Sequence, residues 1–125
     1  MTTESNIKLT IALNDSDLEA EELDERTRNL LREINELDVE RAELVAVEET
    51  PEGTKAFGGF LLGLLQAEVS VANIKRVLGF IGDRLGGQSI ELEVEANGKK
   101  LKVKANSHEE LRAAIQEAQK FIGAG

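Results

Sequence analysis

The sequence predicts an α+β fold in which helices pack on one face of a four-stranded sheet. Several segments alternate apolar and polar residues with the two-residue period of a strand, and longer segments carry apolar stripes with helical spacing. The predicted element order is β-α-β-α-α-β-β-α, which fits an α+β arrangement. Because 125 residues suit one hydrophobic core, we expect residues 1–125 to form a single α+β domain.

The first two elements are a strand and a charged amphipathic helix. Apolar residues occupy every second position of residues 7–13, so we predict a strand there. Ser16 and Glu19 have the spacing of a capping box, which places the start of the helix near Asp17. The apolar stripe of this helix consists of Ala20, Leu23, Leu30, Leu31, Ile34 and Leu37. Its outer side carries the i,i+4 pairs Glu22–Arg26 and Asp24–Arg28, which indicate a solvated face.

The middle of the chain is apolar and rich in glycine. Residues 39–47 predict a second strand, whose imperfect alternation indicates a bulge, and residues 48–54 predict a loop. Residues 55–85 have helical spacing, but one continuous helix would be about 46 Å long. Since Ser70 can cap a new helix, we predict two helices, Lys55–Ala67 and Val71–Leu85, each with an apolar stripe that faces the core.

A hairpin and a last helix complete the fold. Apolar and acidic residues alternate over residues 90–95, Asn97-Gly98 favours a type I′ turn, and apolar and lysine residues alternate over residues 100–104. That turn places Glu95 opposite Lys100, Glu93 opposite Lys102 and Glu91 opposite Lys104. Ser107 and Glu110 have the capping-box spacing at the start of the last helix, which Gly123 ends.

The composition excludes several classes of protein. The chain has no cysteine, which excludes disulfides and thiolate metal sites. Its N-terminus lacks the basic and apolar regions of a secretory signal. The longest apolar run, residues 56–65, is shorter than the ~20 residues that span a bilayer. We therefore expect a soluble cytoplasmic protein for which membrane association is unlikely.

Known catalytic patterns are missing from the sequence. His108 is the only histidine, and no nucleophile motif, Walker A, GxGxxG or HExxH spacing accompanies it. We interpret it as an exposed residue at a helix start. The acidic residues fall mostly on predicted solvent faces, where a solubilising role is more common than an acid/base pair. We predict no catalytic residue, no metal site and no cofactor.

The charge distribution argues against nucleic acid as a partner. The net charge is −9, and residues 1–54 contain 16 acidic and 5 basic residues. Such a field repels phosphate unless a basic patch overrides it. The lysines of residues 99–104 face an acidic strand, and no tyrosine or tryptophan is present to stack on bases.

The predicted binding residues lie in the glycine-rich segment. Residues 51–87 hold eight of the eleven glycines and three of the four phenylalanines. Gly59, Gly63 and Ala67 have the small-xxx-small spacing that lets helices approach closely, either inside the core or against a partner. Leu62 and Phe80 lie off the apolar stripes, and Phe80 falls between Arg76 and Arg84 on a helical wheel. The predicted partner site is Gly59, Leu62, Gly63, Ala67, Arg76, Phe80 and Arg84.

Four sequence segments in order resemble one protein family. They are LDERTRNLLREINEL at residues 23–37, TPEGTKAFGGFLLG at residues 50–63, the hairpin IELEVEANGKKLKVKA and the helix start NSHEEL. Together they resemble the effector-associated constant component family of bacterial conflict systems. The resemblance implies a small non-enzymatic α+β adaptor or regulator, encoded beside effectors that are often caspase-like or trypsin-like peptidases.

Three function hypotheses follow. The first is an interaction module that docks onto an effector protein or forms a homo-oligomer. The alternative is a membrane-associating module that inserts the apolar helix of residues 55–67 into a lipid interface. An enzyme ranks third, because it would need a buried acidic pair in a cleft.

Overall fold

The computed structural model describes residues 6–14, 18–37, 39–46, 56–57, 60–96 and 98–124, without the side chains of residues 56, 57 and 124. The chain has the predicted α+β class. Its strands are β1 (Ile7–Leu13), β2 (Arg41–Ala46), β3 (Ala56–Phe57), β4 (Phe60–Val69), β5 (Ile90–Ala96) and β6 (Lys99–Ala105). Its helices are α1 (Ala20–Asn35), α2 (Ile74–Leu85) and α3 (His108–Ala124).

The strands form one sheet in the order β2-β4-β1-β5-β6, and the short β3 also pairs with β4. Each of these pairings is antiparallel. The predicted four-stranded sheet is therefore wrong, because it lacks β4, which lies between β2 and β1, and the short β3. The first strand of the chain occupies the centre of the sheet, with β4 on one side and β5 on the other.

The predicted helix Lys55–Ala67 is wrong, because Phe60–Val69 is the strand β4. From Gly63 to Val69, every second residue of β4 is buried, which is the period of a strand with one core face. Tertiary pairing on both sides decides the conformation: β1 pairs with Leu64–Val69, and β2 pairs with Leu65–Glu68. The membrane hypothesis requires an apolar helix at residues 55–67, so the strand found at residues 60–67 contradicts its lipid-inserting form.

One face of the sheet packs against the helices. The buried residues of β1, β4 and β5 form a single core cluster with those of all three helices, including Leu30, Leu78 and Leu111. The intervening strand residues lie on the other face and are exposed or partly buried. We call this surface the open face. It consists of residues 8, 10 and 12 of β1, 64, 66 and 68 of β4, 91, 93 and 95 of β5, 100, 102 and 104 of β6, and 41 and 43 of β2.

The hairpin register is confirmed. Glu95 pairs with Lys100, Glu93 with Lys102 and Glu91 with Lys104. Gly98 has the positive φ of +76° that the turn requires, whereas Asn97 lies outside the described residues.

The helix starts and the second strand differ in detail from the predictions. α1 begins at Ala20, and its N-cap residue Glu19 makes no side-chain capping hydrogen bond; Ser16 and Asp17 lie outside the described residues. α2 begins at Ile74, three residues after the predicted start. The predicted irregularity of β2 is confirmed, since Leu44 pairs with Leu65 but Ala46 pairs with Phe60. The extra residues of that bulge lie in β4.

The capping box predicted at the start of α3 is confirmed for Ser107, whereas Glu110 accepts from a different amide. The Ser107 hydroxyl accepts a hydrogen bond from the Glu110 amide at 3.1 Å. The Glu110 carboxylate accepts from the Asn106 amide at 2.7 Å, one residue before the position of a standard capping box.

Candidate functional site

The open face carries a row of five charges whose sign alternates from strand to strand. In sheet order the row is Arg41, Glu68, Lys8, Glu95 and Lys100, each the register partner of the next. Neighbouring strands lie about 4.8 Å apart, so every charge has an opposite charge beside it. A shallow trough of about 200 Å³ runs along this row.

The next row along the strands is polar and less charged. It consists of Glu43, Gln66, Thr10, Glu93 and Lys102 in sheet order. Its two members on the central strands, Gln66 and Thr10, are uncharged and can donate and accept hydrogen bonds. The centre of the open face is therefore polar but neutral.

The third row becomes apolar on β4 and β1. Ala12 and Leu64 are register partners, and both are partly buried. Together with Leu61 and Leu62, which extend the open face beyond its paired rows, they line a depression of about 360 Å³ that we call the apolar corner, and its rim includes Glu91. An apolar patch with charged residues at its edge matches the apolar core and polar rim of a protein contact surface.

Glu91 is fixed at the rim of this apolar corner. Asn14 donates a hydrogen bond from Nδ2 to Glu91 Oε2 at 2.9 Å, and Lys102 Nζ lies 3.4 Å from Glu91 Oε1. Burial alone would raise the pKa of Glu91, but the hydrogen bonds from Asn14 and Lys102 and the charges of Lys102 and Lys104 outweigh it and lower the pKa. The carboxylate is therefore held in its charged form.

The predicted partner residues do not form one surface. Gly63 and Ala67 are buried on the core face of β4, so the small-residue edge that they define on a helix does not exist. Gly59 lies outside the described residues. Of the predicted residues on β4, Leu62 is the one that lines the depression on the open face.

The predicted residues of α2 lie away from the open face. Phe80 is partly buried and packs against the core, so it is not the projecting anchor that the helical wheel indicates. Arg84 donates a hydrogen bond from Nε to Glu33 Oε1 at 2.7 Å, which joins α2 to α1. Arg76 is exposed on α2.

Sequence reasoning did not include Leu64, Gln66 and Thr10 in the candidate site, although the alternation of residues 7–13 had already placed Thr10 on the exposed face of its strand. A signal for Gln66 was present, because residues 65–69 read Leu-Gln-Ala-Glu-Val, which alternates with a strand period. Leu64 gave no such signal, since an apolar residue on an open face is indistinguishable in sequence from a core residue.

The molecule thus belongs to the class of α+β proteins with an antiparallel sheet, which helices cover on one side among the residues that the structure describes. No family model, curated protein or solved structure matches the chain. Within the described ranges, no helix is both long and apolar enough to span a membrane.

Proposed function

We propose that this chain is a non-enzymatic adaptor or regulatory component of a bacterial defence system. It docks onto a peptidase-type effector, self-associates, or does both. The resemblance of residues 23–37, 50–63 and the hairpin to effector-associated constant components motivates the biological setting. The open face is the observation that carries the interaction role.

The open face has the two properties that a protein contact needs. Its charges are held on a rigid sheet, and fixed charges of both signs select a partner by complementarity and set the register of docking. Its apolar corner around Leu62 and Leu64 supplies area whose burial stabilises a complex. The charged row alone would give specificity with little affinity.

The test is co-expression of the tagged chain with the products of its neighbouring genes, among which the resemblance predicts a caspase-like or trypsin-like peptidase. We expect the peptidase to copurify with the wild-type chain. Leu62→Glu should reduce the recovery, because it places a charge in the apolar corner. Arg112→Glu is a suitable control, since Arg112 is exposed on α3, on the far side of the sheet from the open face.

The possible results distinguish the adaptor function from the surface that we propose for it. A peptidase that copurifies equally with wild type and Leu62→Glu would keep the adaptor role and remove the apolar corner from it. No copurification of any neighbouring gene product, together with a monomeric chain, would overturn the proposed function.

A further inference from the structure

We propose that the open face binds the open face of a second copy of this chain, about a two-fold axis that runs parallel to the strands between β1 and β4. This inference deepens the self-association part of the proposed function and rests on it. The symmetric arrangement is isologous, so each contact occurs twice.

The alternating charges make the open face complementary to itself. This axis places β1 of one copy on β4 of the other, and β2 of one copy on β5 of the other. Each residue therefore faces a partner residue whose strand lies one or three positions away in the sheet order, which is an odd number of strands. In the row that begins at Arg41, a residue an odd number of strands away always has the opposite charge. Lys8 then meets the partner's Glu68, and Arg41 meets the partner's Glu95.

The neutral and apolar rows select the position of the axis. An axis between β1 and β4 places Thr10 opposite the partner's Gln66 and Ala12 opposite the partner's Leu64. An axis between β1 and β5 would instead place Thr10 opposite the partner's Glu93 and Ala12 opposite the partner's Glu91, so that both carboxylates would lose water against uncharged side chains, which costs free energy. The first position matches charge with charge and apolar with apolar across both central strands.

The outer strands contribute less to this choice. Packed sheets diverge by about 30° because each is twisted, so contacts are closest near the axis. One contact is unfavourable: Glu43 approaches the partner's Glu93, away from the axis where water can screen it. Lys102, the register partner of Glu93, reduces this repulsion.

The expected dimer is weak. Four overlapping strands about 4.8 Å apart and about 23 Å long give a flat footprint of roughly 450 Å² per copy. Stable complexes bury about 800 Å² per partner, so association should require high protein concentration. This property suits an adaptor that assembles only when its local concentration rises.

The experiment is sedimentation equilibrium of the purified chain over a concentration series, with charge-reversal variants. We expect the wild-type mass to rise from 13.6 kDa towards twice that value. Lys8→Glu and Glu68→Lys should each remain monomeric, because each homodimer would place like charges opposite each other at two points. Lys120→Glu makes the same charge change as Lys8→Glu on an exposed part of α3 and should dimerise as wild type.

An equimolar mixture of Lys8→Glu and Glu68→Lys distinguishes contacts between chains from contacts within one chain. Lys8 and Glu68 are also register partners in the same sheet, so each single variant loses that internal pair. Only a contact between chains is restored by mixing, since the glutamate introduced at position 8 of one variant then meets the lysine introduced at position 68 of the other. We expect the mixture to regain at least the wild-type association.

Two results would overturn the inference. One is a wild-type chain that stays monomeric at every concentration, a measurement that does not depend on whether the variants fold. The other is a mixture that stays monomeric while circular dichroism shows both variants folded. If the neighbouring peptidase still copurifies, the dimer is wrong and the adaptor function stands.

Discussion

The Cδ1 atom of Ile115 on α3 occupies the space where a side chain on Gly82 of α2 would begin. A β carbon added to Gly82 would lie 2.8 Å from that atom, closer than atoms of real side chains approach. The missing side chain therefore lets α2 and α3 pack closely. At Gly79, three residues earlier, no atom other than those of the adjacent residues and the helix's own backbone lies within 4 Å of the equivalent position.

These two glycines predict unequal effects of alanine on stability. Gly79→Ala should raise the free energy of unfolding by about 1 kcal/mol, because alanine is the better helix former and nothing obstructs it. Gly82→Ala should gain much less, since Ile115 must move. Urea denaturation of both variants measures the difference. Equal gains would show that α3 tolerates the displacement without cost.

Gly63 and Gly98 give a second matched pair. Both have positive φ, +75° and +76°, so alanine at either position should cost about 1–2 kcal/mol in backbone strain. At Gly63 a β carbon would also lie 2.8 Å from the carbonyl oxygen of Leu13 and 3.3 Å from Leu23, whereas at Gly98 nothing lies within 4 Å. Gly63→Ala should therefore lower the melting temperature clearly more than Gly98→Ala. A smaller effect at Gly63 would contradict the close approach of Leu13 on β1 and Leu23 on α1 to this glycine.

The lowered pKa of Glu91 predicts how stability depends on pH. Because the folded-state pKa lies below the ordinary value of 4.5, the ionised carboxylate stabilises the folded state above pH 4.5. That contribution is lost as the pH falls through the folded-state pKa. Glu91→Gln should therefore cost stability at pH 7, by less than about 1 kcal/mol, and cost less at about pH 3.

Denaturation of wild type, Glu91→Gln and Asn14→Ala at several pH values measures this dependence. Asn14→Ala should raise the pKa of Glu91, because it removes the 2.9 Å hydrogen bond to the carboxylate. A stability difference between wild type and Glu91→Gln that stays constant from neutral to acidic pH would be inconsistent with this interpretation.

We expect the Ser107 cap to make a measurable contribution to the free energy of unfolding. Ser107→Ala removes the hydroxyl that accepts from the Glu110 amide, which should lower the free energy of unfolding by about 1 kcal/mol. Ser107→Thr keeps an acceptor and should cost less. Calorimetry of the two variants provides the test, and an unchanged stability of Ser107→Ala would assign the cap to Glu110 alone.

The success of the sequence predictions depended on how local the signals are. The register of β5 and β6 followed from Asn97-Gly98, because a two-residue turn fixes the pairing of its own strands. The cap at Ser107 is equally local. Both were confirmed because no distant segment competes with them.

β4 shows why the remaining structure was not predictable. Its apolar run has leucines on both faces, and the bulge near Gly63 interrupts the two-residue period, so helical spacing fits residues 55–67 equally well. Only pairing with β1 and β2 decides the conformation. The same error assigned Gly63 and Ala67 to an exposed helix edge, whereas on the strand they turn inward and Leu64 and Gln66 turn outward.

The central position of β1 also determines when this chain can fold. Residues 7–13 are synthesised before the strands that flank them, because their partners are Leu64–Val69 of β4 and Ile90–Glu95 of β5. Closing such long loops slows folding, since their entropy is lost before the contacts form. The nascent N-terminal half therefore cannot form its sheet until β4 and β5 have been synthesised. The acidic residues concentrated in this half would limit aggregation during that interval.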